Sequence, residues 1–425
     1  MRVAVIGTGY VGSVTAAGLA ANGHDVAVYD KQPARAAALV SGQPPVAEPG
    51  LRELLRDAAG RLRATASARE SVASARVALI CVDTPPRPDG AIDLSRVEAA
   101  FGEIAAAAGA GPLLVVIRST VVPGTTARLD REVLAPLRAS GRRVSAACNP
   151  EFLREGHAVA DFLRPDRVLI GVADDDAHAT LAELYAWTAA PVFALRTGSA
   201  ELAKYASNAL LATLISFSNE IADVAEAIPG ADVADVMRVL HADRRWREED
   251  GAFAPGMTAY LWPGCGYGGS CLPKDVKAIR VAARFLGVDA PLLAAVDAIN
   301  DRRAAGIVDR LARRVELRGR RVAVLGTSFK DGTADTRESP GLALAAELTR
   351  RGADVRTYDP LADGDGSPKR LDAVLRETSV WVVVTRAKEF DDLPSRARRG
   401  DVVLVDARRR FTERNGKILG PGRAW

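Results

Sequence analysis

The sequence predicts an α/β protein in which two doubly wound domains are joined by a helical central domain. Short runs rich in Val, Ile and Leu alternate with Ala-rich helical stretches at both ends of the chain, which is typical of parallel sheets covered by helices on both faces. The middle of the chain instead has the pattern of long helices. The two ends also share a motif, because residues 2–7 and 321–326 are each followed by a helical stretch and a strand that ends in Tyr-Asp.

The individual elements follow from these runs in chain order. The first domain is predicted to hold strands at residues 2–6, 25–30, 76–82, 113–118 and 167–172. Long helices are predicted at residues 199–227 and 290–315, and a second sheet at residues 321–325, 354–358, 380–384 and 402–405. The predicted domains are therefore residues 1–197, 198–300 and 301–425. From the pattern alone, the two sheets are either two nucleotide-binding halves that face one cleft or two ordinary doubly wound domains.

Composition argues against several classes of protein. The chain has 425 residues and a net charge of +4 with scattered basic residues, so neither nucleic acid nor an anionic membrane is a predicted partner. It has no apolar window long enough for a transmembrane span, and a strand rather than a signal peptide follows the N-terminal Met. The four cysteines are few and unevenly spaced, which is typical of a protein of the reduced cytoplasm. Cys265 and Cys271 lack the second Cys or His pair of a zinc site, so no metal is predicted.

A glycine-rich turn between the first strand and the first helix has the dinucleotide-binding pattern Gly-x-Gly-x-x-Gly. It consists of Gly7, Thr8, Gly9, Tyr10, Val11 and Gly12. The glycines permit a tight turn, the approach of a pyrophosphate and close packing of helix on strand, and the helix N-terminus offers N–H groups to the phosphates. Asp30 ends the next strand, where a carboxylate binds the ribose hydroxyls of NAD and repels the 2′-phosphate of NADP. NAD and a Rossmann-like domain are therefore predicted, although Lys31 and Arg35 could accept a phosphate.

The loop at residues 266–275 places a thiol, an amine and a carboxylate close together behind several glycines. Cys271 precedes a helix predicted from Lys274 onward, and both the helix N-terminus and the Lys274 amine should favour its thiolate. Cys81 and Cys148 lie within a strand or at its end, where a thiol is usually buried and inert. A nicotinamide site together with a positioned thiol predicts the oxidation of an alcohol past the aldehyde to an acid, through a covalent thioester.

Two further pairs of polar residues are candidates for proton transfer. Glu151 and Glu155 flank a loop that follows a strand, and Lys204 and Asn208 are four residues apart on one face of a helix. Taken alone, either pair is also compatible with a solvated surface. Their interpretation therefore depends on the other motifs of the chain.

Together these segments resemble the UDP-glucose/GDP-mannose dehydrogenase family along the whole chain. The matching segments, in family order, are residues 7–12, 82–86, 119–121, 149–156, 201–208, 266–275, 328–330, 335–340 and 406–408. Asn-Pro-Glu-Phe-Leu-Arg-Glu at 149–155 and Gly-Gly-Ser-Cys-Leu-Pro-Lys-Asp at 268–275 are highly specific. The resemblance implies a cytoplasmic enzyme with an NAD domain, a helical centre that carries a homodimer interface, and a C-terminal domain for the sugar nucleotide.

The chemistry that the resemblance implies is two successive NAD-dependent oxidations at C6 of a nucleotide sugar, which turn an alcohol into a carboxylate. Cys271 matches the nucleophile that forms a thiohemiacetal and then a thioester. Glu151 matches the residue assigned to proton transfer and to the activation of water for thioester hydrolysis. Lys204, assisted by Asn208, matches the stabiliser of the C6 oxyanion. Asp275 and Thr120 match the residues that hold the water or hydroxyl taking the first proton.

The resemblance also implies binding positions. Those for NAD are Gly7, Thr8, Gly9, Tyr10, Val11, Gly12, Asp30, Arg35, Val82, Thr84, Pro85, Ser119, Thr120, Glu155, Lys274 and Arg337. Those for the sugar nucleotide are Glu151, Phe152, Leu153, Arg154, Glu155, Lys204, Asn208, Arg244, Trp262, Gly264, Tyr267, Gly268, Phe329, Lys330 and Arg408. Lys330 and Arg408 supply the cations that a diphosphate needs.

The sequence departs from the family pattern at three places. Arg118 stands where Lys is common before Ser-Thr, which keeps the charge but changes its geometry. Residues 263–266 read Pro-Gly-Cys-Gly where Pro-Gly-Pro-Gly or Ser-Phe-Gly is commoner. The arginine that would reach substrate across the dimer is Arg244 or Arg245, followed by a segment at 247–258 that looks like extra length.

Within the family, the motifs favour UDP-glucose as substrate and UDP-glucuronate as product. GDP-mannose is the close alternative, because its oxidation uses the same chemistry and much the same motif around Glu151. UDP-N-acetylhexosamines fit less well, because their dehydrogenases tend to replace Phe-Leu-Arg in that motif. A non-catalytic sensor of NAD or nucleotide sugars would not need Cys271, Lys204, Glu151 and Asp275 together, and a one-step dehydrogenase would not need the thiol.

Overall fold

The computed structural model describes residues 1–243, 259–363, 366–399, 402–411 and 418–421. The chain divides into two compact units, Met1–Ala206 and Ser207–Trp425. Each unit contains one sheet covered by helices, and a largely helical stretch lies between the two sheets in the sequence. The predicted α/β class is therefore confirmed, whereas the division into 1–197, 198–300 and 301–425 stays a prediction.

The first unit is built on an eight-stranded sheet. Its strands are Arg2–Ile6 (β1), Asp25–Tyr29 (β2), Leu62–Ala64 (β3), Val77–Ile80 (β4), Leu113–Ile117 (β5), Val144–Cys148 (β6), Val168–Gly171 (β7) and Val192–Leu195 (β8). They lie in the order β3-β2-β1-β4-β5-β6-β7-β8. Alternate residues of β1 enter two separate cores, Val3 and Val5 on one face and Ala4 and Ile6 on the other. Burial on both faces explains the uninterrupted apolar runs that predict these strands.

The sheet departs from the predicted parallel arrangement at one edge. β7 pairs with β6 in the antiparallel direction, whereas β5 pairs with β6 and β7 pairs with β8 in parallel. The helix between β6 and β7 has only six residues, about 9 Å at 1.5 Å per residue, and does not carry the chain back along the sheet. β3 and β8 are not among the predicted strands; both are edge strands whose residues are largely exposed, so no buried run marks them. β6 is indicated in the sequence only by the strand end at Cys148.

Helices connect the strands of the first unit. They are Tyr10–Ala21 (α1), Pro33–Val40 (α2), Leu51–Asp57 (α3), Ala68–Val72 (α4), Ser95–Ala107 (α5), Thr125–Leu129 (α6), a π-helical turn at Asp130–Leu134, Ala135–Ala139 (α7), Ala158–Leu163 (α8) and Asp175–Leu184 (α9). Thr197–Glu226 (α10) has 30 residues and continues into the second unit. None of the helices in the described ranges combines the length and the apolar character that a membrane crossing needs.

The second unit contains a parallel five-stranded sheet. Its strands are Arg321–Leu325 (β9), Asp354–Tyr358 (β10), Val380–Val383 (β11), Val403–Asp406 (β12) and Ile418–Leu419 (β13). Its remaining helices are Val233–His241 (α11), Leu272–Phe285 (α12), Pro291–Ala312 (α13), Pro340–Arg350 (α14), Pro368–Glu377 (α15), a 3₁₀ turn at Lys388–Phe390, and Leu393–Arg399 (α16). The long helices predicted in the middle of the chain are therefore α10 and α13.

The strand order of each sheet marks where a ligand should bind. The first strand of each sheet lies between two others, β1 between β2 and β4, and β9 between β10 and β11. In doubly wound sheets, ligands bind beyond the carboxyl ends of the strands at such a switch point. The segments that follow β1 and β4, and those that follow β9 and β11, are therefore positioned to hold ligands.

Candidate active site

The glycine turn after β1 has the geometry of a phosphate-binding loop. Gly7 has a φ of 94°, which glycine adopts without strain, and a Cβ on Gly12 would overlap the carbonyl oxygen of Gly7. A Cβ on Gly9 would meet no neighbour closer than 3.8 Å, so the turn is open where a pyrophosphate would approach. α1 then begins at Tyr10 without a side-chain cap, which leaves its first N–H groups for an anion. These residues fit NAD.

Asp30 lies beside this turn, at the end of β2. Its Oδ2 accepts hydrogen bonds from the N–H and the hydroxyl of Thr8 at 2.7 and 2.9 Å, and its Oδ1 accepts one from the N–H of Gln32 at 2.8 Å. A carboxylate has about four acceptor positions, so Asp30 keeps capacity for a ribose hydroxyl. Lys31 and Arg35 are exposed, and Lys31 lies 4.0 Å from Glu103. Of Asp30, Lys31 and Arg35, Asp30 is therefore the residue that faces the glycine turn.

The other proposed NAD positions of the first unit lie on neighbouring loops. Val82, Thr84 and Pro85 follow β4, and Ser119 and Thr120 follow β5. The Ser119 hydroxyl bonds to the carbonyl oxygens of Ile80 and Val82, at 3.2 and 2.6 Å, and joins the two loops. All these residues lie at the carboxyl end of the sheet, beside the glycine turn.

Glu151 and Lys204 form a buried ion pair within the first unit. The Lys204 ammonium donates to the carbonyl oxygen of Glu151 at 2.7 Å and lies 3.3 Å from Oε1 of the same residue. The Leu153 N–H donates to Oε2 at 2.6 Å. Burial by itself raises the pKa of Glu151, but the charge of Lys204, the Leu153 N–H and the charge of Arg118 outweigh it and hold the pKa below its ordinary value. Glu151 is thus a buried carboxylate, and the solvated-surface alternative fails for Glu151, Lys204 and Asn208, which are buried, whereas Glu155 is half-buried.

Further predicted site residues of the first unit lie around the Glu151–Lys204 ion pair or close to it in the sequence. The Phe152 ring centroid lies 5.2 Å from the Lys204 ammonium and 3.9 Å from the guanidinium carbon of Arg167. Thr120 and Lys204 line the same narrow cleft. Arg154 instead is exposed and pairs with Asp161, at 3.0 and 2.6 Å. Thr120 is therefore beside the ion pair, and Arg154 is directed to solvent.

Cys271 lies at the N-terminus of α12 in the second unit. Its carbonyl oxygen accepts the first bond of the helix, from the Asp275 N–H at 2.8 Å. Its side chain is exposed, with Sγ 3.5 Å from the Ser270 hydroxyl. The helix begins at Leu272, two residues earlier than predicted, and this places the thiol directly before the first helical residue. An exposed thiol at a helix N-terminus has the surroundings of a reactive cysteine.

Asp275 joins two other predicted residues into a buried cluster in the second unit. The side chain of Asp275 is only 1% exposed. Its Oδ2 accepts a hydrogen bond from the Asn208 amide at 2.6 Å, and its Oδ1 lies 2.8 Å from the Lys274 ammonium. Asn208 belongs to α10 and the two charged residues belong to α12. The structure therefore brings Asn208 to the helix that Cys271 precedes.

The predicted sugar-nucleotide residues of the second unit also lie together. Arg408 follows β12, and its guanidinium donates to the carbonyl oxygens of Val384 and Phe329 at 2.8 and 3.2 Å. The Trp262 indole donates to the Arg408 carbonyl oxygen at 3.3 Å. The Lys330 ammonium lies 5.6 Å from the Phe329 ring centroid. Two cations and two aromatic rings therefore meet at the carboxyl end of the second sheet.

The glycine loop before Cys271 is held on several sides. The N–H groups of Gly264 and Tyr267 each donate at 2.8 Å, to the side-chain oxygens of Asn219 on α10 and Asn300 on α13. The Gly269 N–H donates to the Arg337 carbonyl oxygen at 2.9 Å. A Cβ on Gly268 would overlap a backbone oxygen. Glycine is thus required there by the close approach of two backbones.

The other three cysteines differ from Cys271 in their exposure. Cys81, Cys148 and Cys265 are buried. Burial raises the pKa of Cys81 and of Cys148 to about 12, so both are protonated thiols at neutral pH. Arg244 and Arg245 lie outside the described residues.

Comparison with known families gives matches along most of the chain. Residues 1–189 match the NAD binding domain of the UDP-glucose/GDP-mannose dehydrogenase family, residues 198–302 match its central domain, and residues 323–413 match its UDP binding domain. The chain belongs to this family. It is an NAD-dependent nucleotide-sugar dehydrogenase, and the cofactor predicted from the glycine turn is confirmed.

Named relatives of the dehydrogenase act on more than one sugar nucleotide. A UDP-glucose 6-dehydrogenase of Pseudomonas aeruginosa is 40% identical over 99% of this chain and 96% of its own length. A GDP-mannose 6-dehydrogenase of Pseudomonas syringae pv. tomato is 37% identical over 84% of this chain and 81% of its own length. The solved UDP-glucose dehydrogenase of Pyrobaculum islandicum has a TM-score of 0.87 and 37% identity, and it covers 100% of this chain and 97% of its own.

Sequence reasoning misses a buried carboxylate that braces the loop after Glu151 in this dehydrogenase. Glu48 accepts hydrogen bonds from the N–H groups of Ala158 and Gly156 at 2.6 and 2.8 Å, and from the Tyr10 hydroxyl. It thereby joins the glycine turn to the end of the Glu151 loop. A single Glu in a Pro-rich loop carries no signal of this role, because its backbone partners lie 108 and 110 residues away.

The second sheet of the dehydrogenase has its own aspartate at the end of its second strand. Asp359 accepts three hydrogen bonds on Oδ2, from the N–H of Thr327 and the N–H and hydroxyl of Ser328, each at 2.8 Å. Its Oδ1 accepts from the N–H groups of Leu361 and Ala362 at 2.9 and 3.0 Å. Burial by itself raises the pKa of Asp359, but the donors from residues 328, 362 and 361 hold it below its ordinary value.

Proposed function

We propose that this dehydrogenase oxidises UDP-glucose at C6 to UDP-glucuronate, in two NAD-dependent steps joined by covalent intermediates on Cys271. The observation that carries the proposal is the exposed thiol at the N-terminus of α12 in a chain that has an NAD binding domain. Oxidation of an alcohol to an aldehyde needs no nucleophile, whereas a second oxidation is helped by an adduct that retains the aldehyde. The sugar is supported by the identity with named UDP-glucose 6-dehydrogenases over most of the chain.

Each candidate residue has a role in this scheme. Bound NAD supplies the hydride acceptor for both oxidations. Thr120 and Asp275 hold the water or hydroxyl that takes the C6 hydroxyl proton, and the aldehyde carbon then accepts the Cys271 sulfur as a thiohemiacetal. Loss of a second hydride and the hydroxyl proton leaves a thioester, and Lys204, with Asn208, stabilises the oxygen as it gains negative charge.

In the hydrolysis of the thioester, Glu151 acts as the general base. Its carboxylate, which is ionised at neutral pH for the reasons given above, takes a proton from the attacking water. The carbon–sulfur bond breaks, and the Cys271 thiol and the carboxylate product are released. The balance is one alcohol, one water and two NAD⁺ giving one carboxylate, two NADH and three protons.

NAD and the diphosphate of the sugar nucleotide are assigned to different units of the chain. The glycine turn and Asp30 hold NAD, and Glu155, Lys274, Arg337 and the loops after β4 and β5 complete its site. In the second unit, Lys330 and Arg408 face the diphosphate of the sugar nucleotide. In the first unit, residues 151–155 and Lys204 bind the sugar.

GDP-mannose is the second candidate substrate. It is supported by the relatives named GDP-mannose 6-dehydrogenase, of which the one from Pseudomonas syringae pv. tomato is 37% identical to this chain. The chemistry of Cys271 would be the same for both sugars. The choice therefore depends on the nucleotide and on the configuration of the hexose.

The yield of NADH from a limiting amount of sugar nucleotide tests the proposal. With excess NAD, we expect two NADH for each UDP-glucose, because the thioester route removes four electrons. One NADH for each sugar would mean that the reaction stops at the aldehyde, and the role of Cys271 would be wrong. Two NADH from GDP-mannose with none from UDP-glucose would favour the second candidate.

We also propose a homodimer that forms along α10. Leu202, Leu210, Phe217 and Val224 are 43–54% exposed and recur every seven or eight residues, so they form one apolar stripe on the helix. Light scattering of the purified enzyme should give about twice the mass of one chain, and Phe217→Glu should reduce it to one. A wild-type protein that is monomeric at micromolar concentration would contradict this proposal.

A further inference from the structure

Arg118 is a buried cation whose hydrogen-bond acceptors, as far as the structure describes them, are all neutral. It follows β5 and is 5% exposed. Its Nε donates to the Thr15 hydroxyl at 2.9 Å, and its Nη1 donates to the Tyr185 hydroxyl at 3.2 Å. The same nitrogen donates to the side-chain oxygen of Asn149 at 2.5 Å and to its carbonyl oxygen at 3.3 Å.

A guanidinium in this position needs an anion at longer range. Arginine stays protonated at any pH at which proteins fold, and a buried charge without compensation is strongly unfavourable. The Phe162 ring, 5.9 Å from the guanidinium carbon, supplies only part of this compensation.

Three titratable groups sense the charge of Arg118. Two of them, Cys81 and Tyr185, are neutral at pH 7, because burial raises the pKa of both side chains. The third is Glu151, whose pKa the charge of Arg118 lowers. Glu151 is therefore the anion among these three groups, and it lies in the field of two buried cations, Lys204 and Arg118.

The geometry of the chain connects the same two residues. Asn149 and Glu151 are separated only by Pro150, and Arg118 holds Asn149 by both its side chain and its backbone. The Asn149 amide in turn donates to the Leu169 carbonyl oxygen on β7 at 2.8 Å. The start of the Glu151 loop is thus fixed from two strands.

We propose that Arg118 is a positioning residue of the active site, which holds Glu151 in place and keeps it a carboxylate while Lys204 is engaged with substrate. The inference rests on the proposed function, in which Glu151 activates water. In that function Lys204 shares its charge with the C6 oxygen, so its hold on Glu151 weakens at the step when Glu151 must act as a base. None of the acceptors described for Arg118 is a proposed ligand position, so its charge remains available throughout.

The dependence of kcat on pH tests the proposal, with saturating NAD and UDP-glucose. In the part of the chain that the structure describes, the charged and titratable groups that interact electrostatically with Glu151 are Lys204, Arg118 and the neutral Cys81 thiol. Without the charge of Arg118, Glu151 should take up its proton at higher pH. In Arg118→Met, the acid limb of the profile should therefore move to higher pH by about one unit or more.

Two variants separate charge from structure. Arg118→Lys keeps the charge and should return the acid limb to within a few tenths of a unit of the wild-type value. Thr15→Val removes one hydrogen-bond partner of Arg118 but no charge, so it should leave the limb unchanged. An unshifted limb in Arg118→Met, or an equal shift in Thr15→Val, would overturn the proposal.

Two further measurements cover the other outcomes. Glu151→Gln should abolish the acid limb and most of the activity. If it does neither, the proposed role of Glu151 fails, and this failure is distinct from an unshifted Arg118→Met profile. If Arg118→Met does not fold, Arg118→Gln takes its place, since glutamine keeps hydrogen-bonding groups but removes the charge, and its acid limb should show the same shift. An unshifted limb in Arg118→Gln would overturn the proposal.

Discussion

Replacement of Cys271 by alanine should lower kcat for the oxidation of UDP-glucose by about four orders of magnitude. Without the sulfur, neither the thiohemiacetal nor the thioester forms, and repeated four-electron turnover is lost. The measurement is the rate and total yield of NADH with excess NAD. A trapped thioester offers a second readout. Glu151→Gln should slow hydrolysis and leave the sugar nucleotide attached to Cys271, which would raise the mass of the peptide that contains Cys271.

Cys81→Ala is the matched control, because the same atoms are removed from a buried thiol that burial keeps protonated. This variant should keep two NADH for each sugar. Normal stoichiometry and rate in Cys271→Ala would exclude the thioester route, whatever the control shows.

Replacement of Lys204 by methionine should have the second large effect, because it leaves the Glu151 carboxylate buried without its direct partner. Lys204 is 5% and Glu151 is 9% exposed, so solvent does not replace the lost charge. We expect a loss of about 3 kcal/mol in the free energy of unfolding at neutral pH, measured by urea denaturation. The exposed pair of Lys31 and Glu103 provides a control, since Lys31→Met should cost less than about 1 kcal/mol.

The effect of Lys204→Met should depend on pH with a defined sign. The pKa of Glu151 is lowered in the folded protein, so its stabilising contribution is present above the unfolded pKa of about 4.3 and is lost as the pH falls through the folded value. The difference between variant and wild type should therefore shrink in acid, where Glu151 is protonated in both. Adding Glu151→Gln to the variant should likewise recover stability at neutral pH. A difference that stays constant with pH would show that the ion pair is not its source.

The sequence predicts the parts of this protein that depend on local pattern. β1 and β9 match the predicted strands at both ends, because central strands buried on both faces need continuous apolar residues. The glycine turn is predictable for a similar reason, since backbone approach excludes a Cβ at Gly12. Four-residue spacing on one helix likewise places Lys204 and Asn208 on one face.

The parts that escape prediction depend on contacts between distant segments. No local pattern indicates that β7 runs antiparallel to β6. None indicates that Glu48 braces a loop more than 100 residues away, or that Arg118 is surrounded by neutral acceptors. Such positions are set by tertiary packing, which a single sequence does not encode in its periodicity.

The aspartates at corresponding strand ends of the two sheets, Asp30 and Asp359, differ in how many hydrogen bonds they accept from their own chain. Asp30 accepts three hydrogen bonds from its own chain, and about one of its four acceptor positions remains. Asp359 accepts five, and its acceptor capacity is exhausted by the loop that surrounds it. The first strand of the second sheet therefore lies between two others, as in the first sheet, but its aspartate has no acceptor position left for a ribose hydroxyl. We expect this difference to favour NAD at the first sheet, where Asp30 keeps an acceptor position for a ribose hydroxyl.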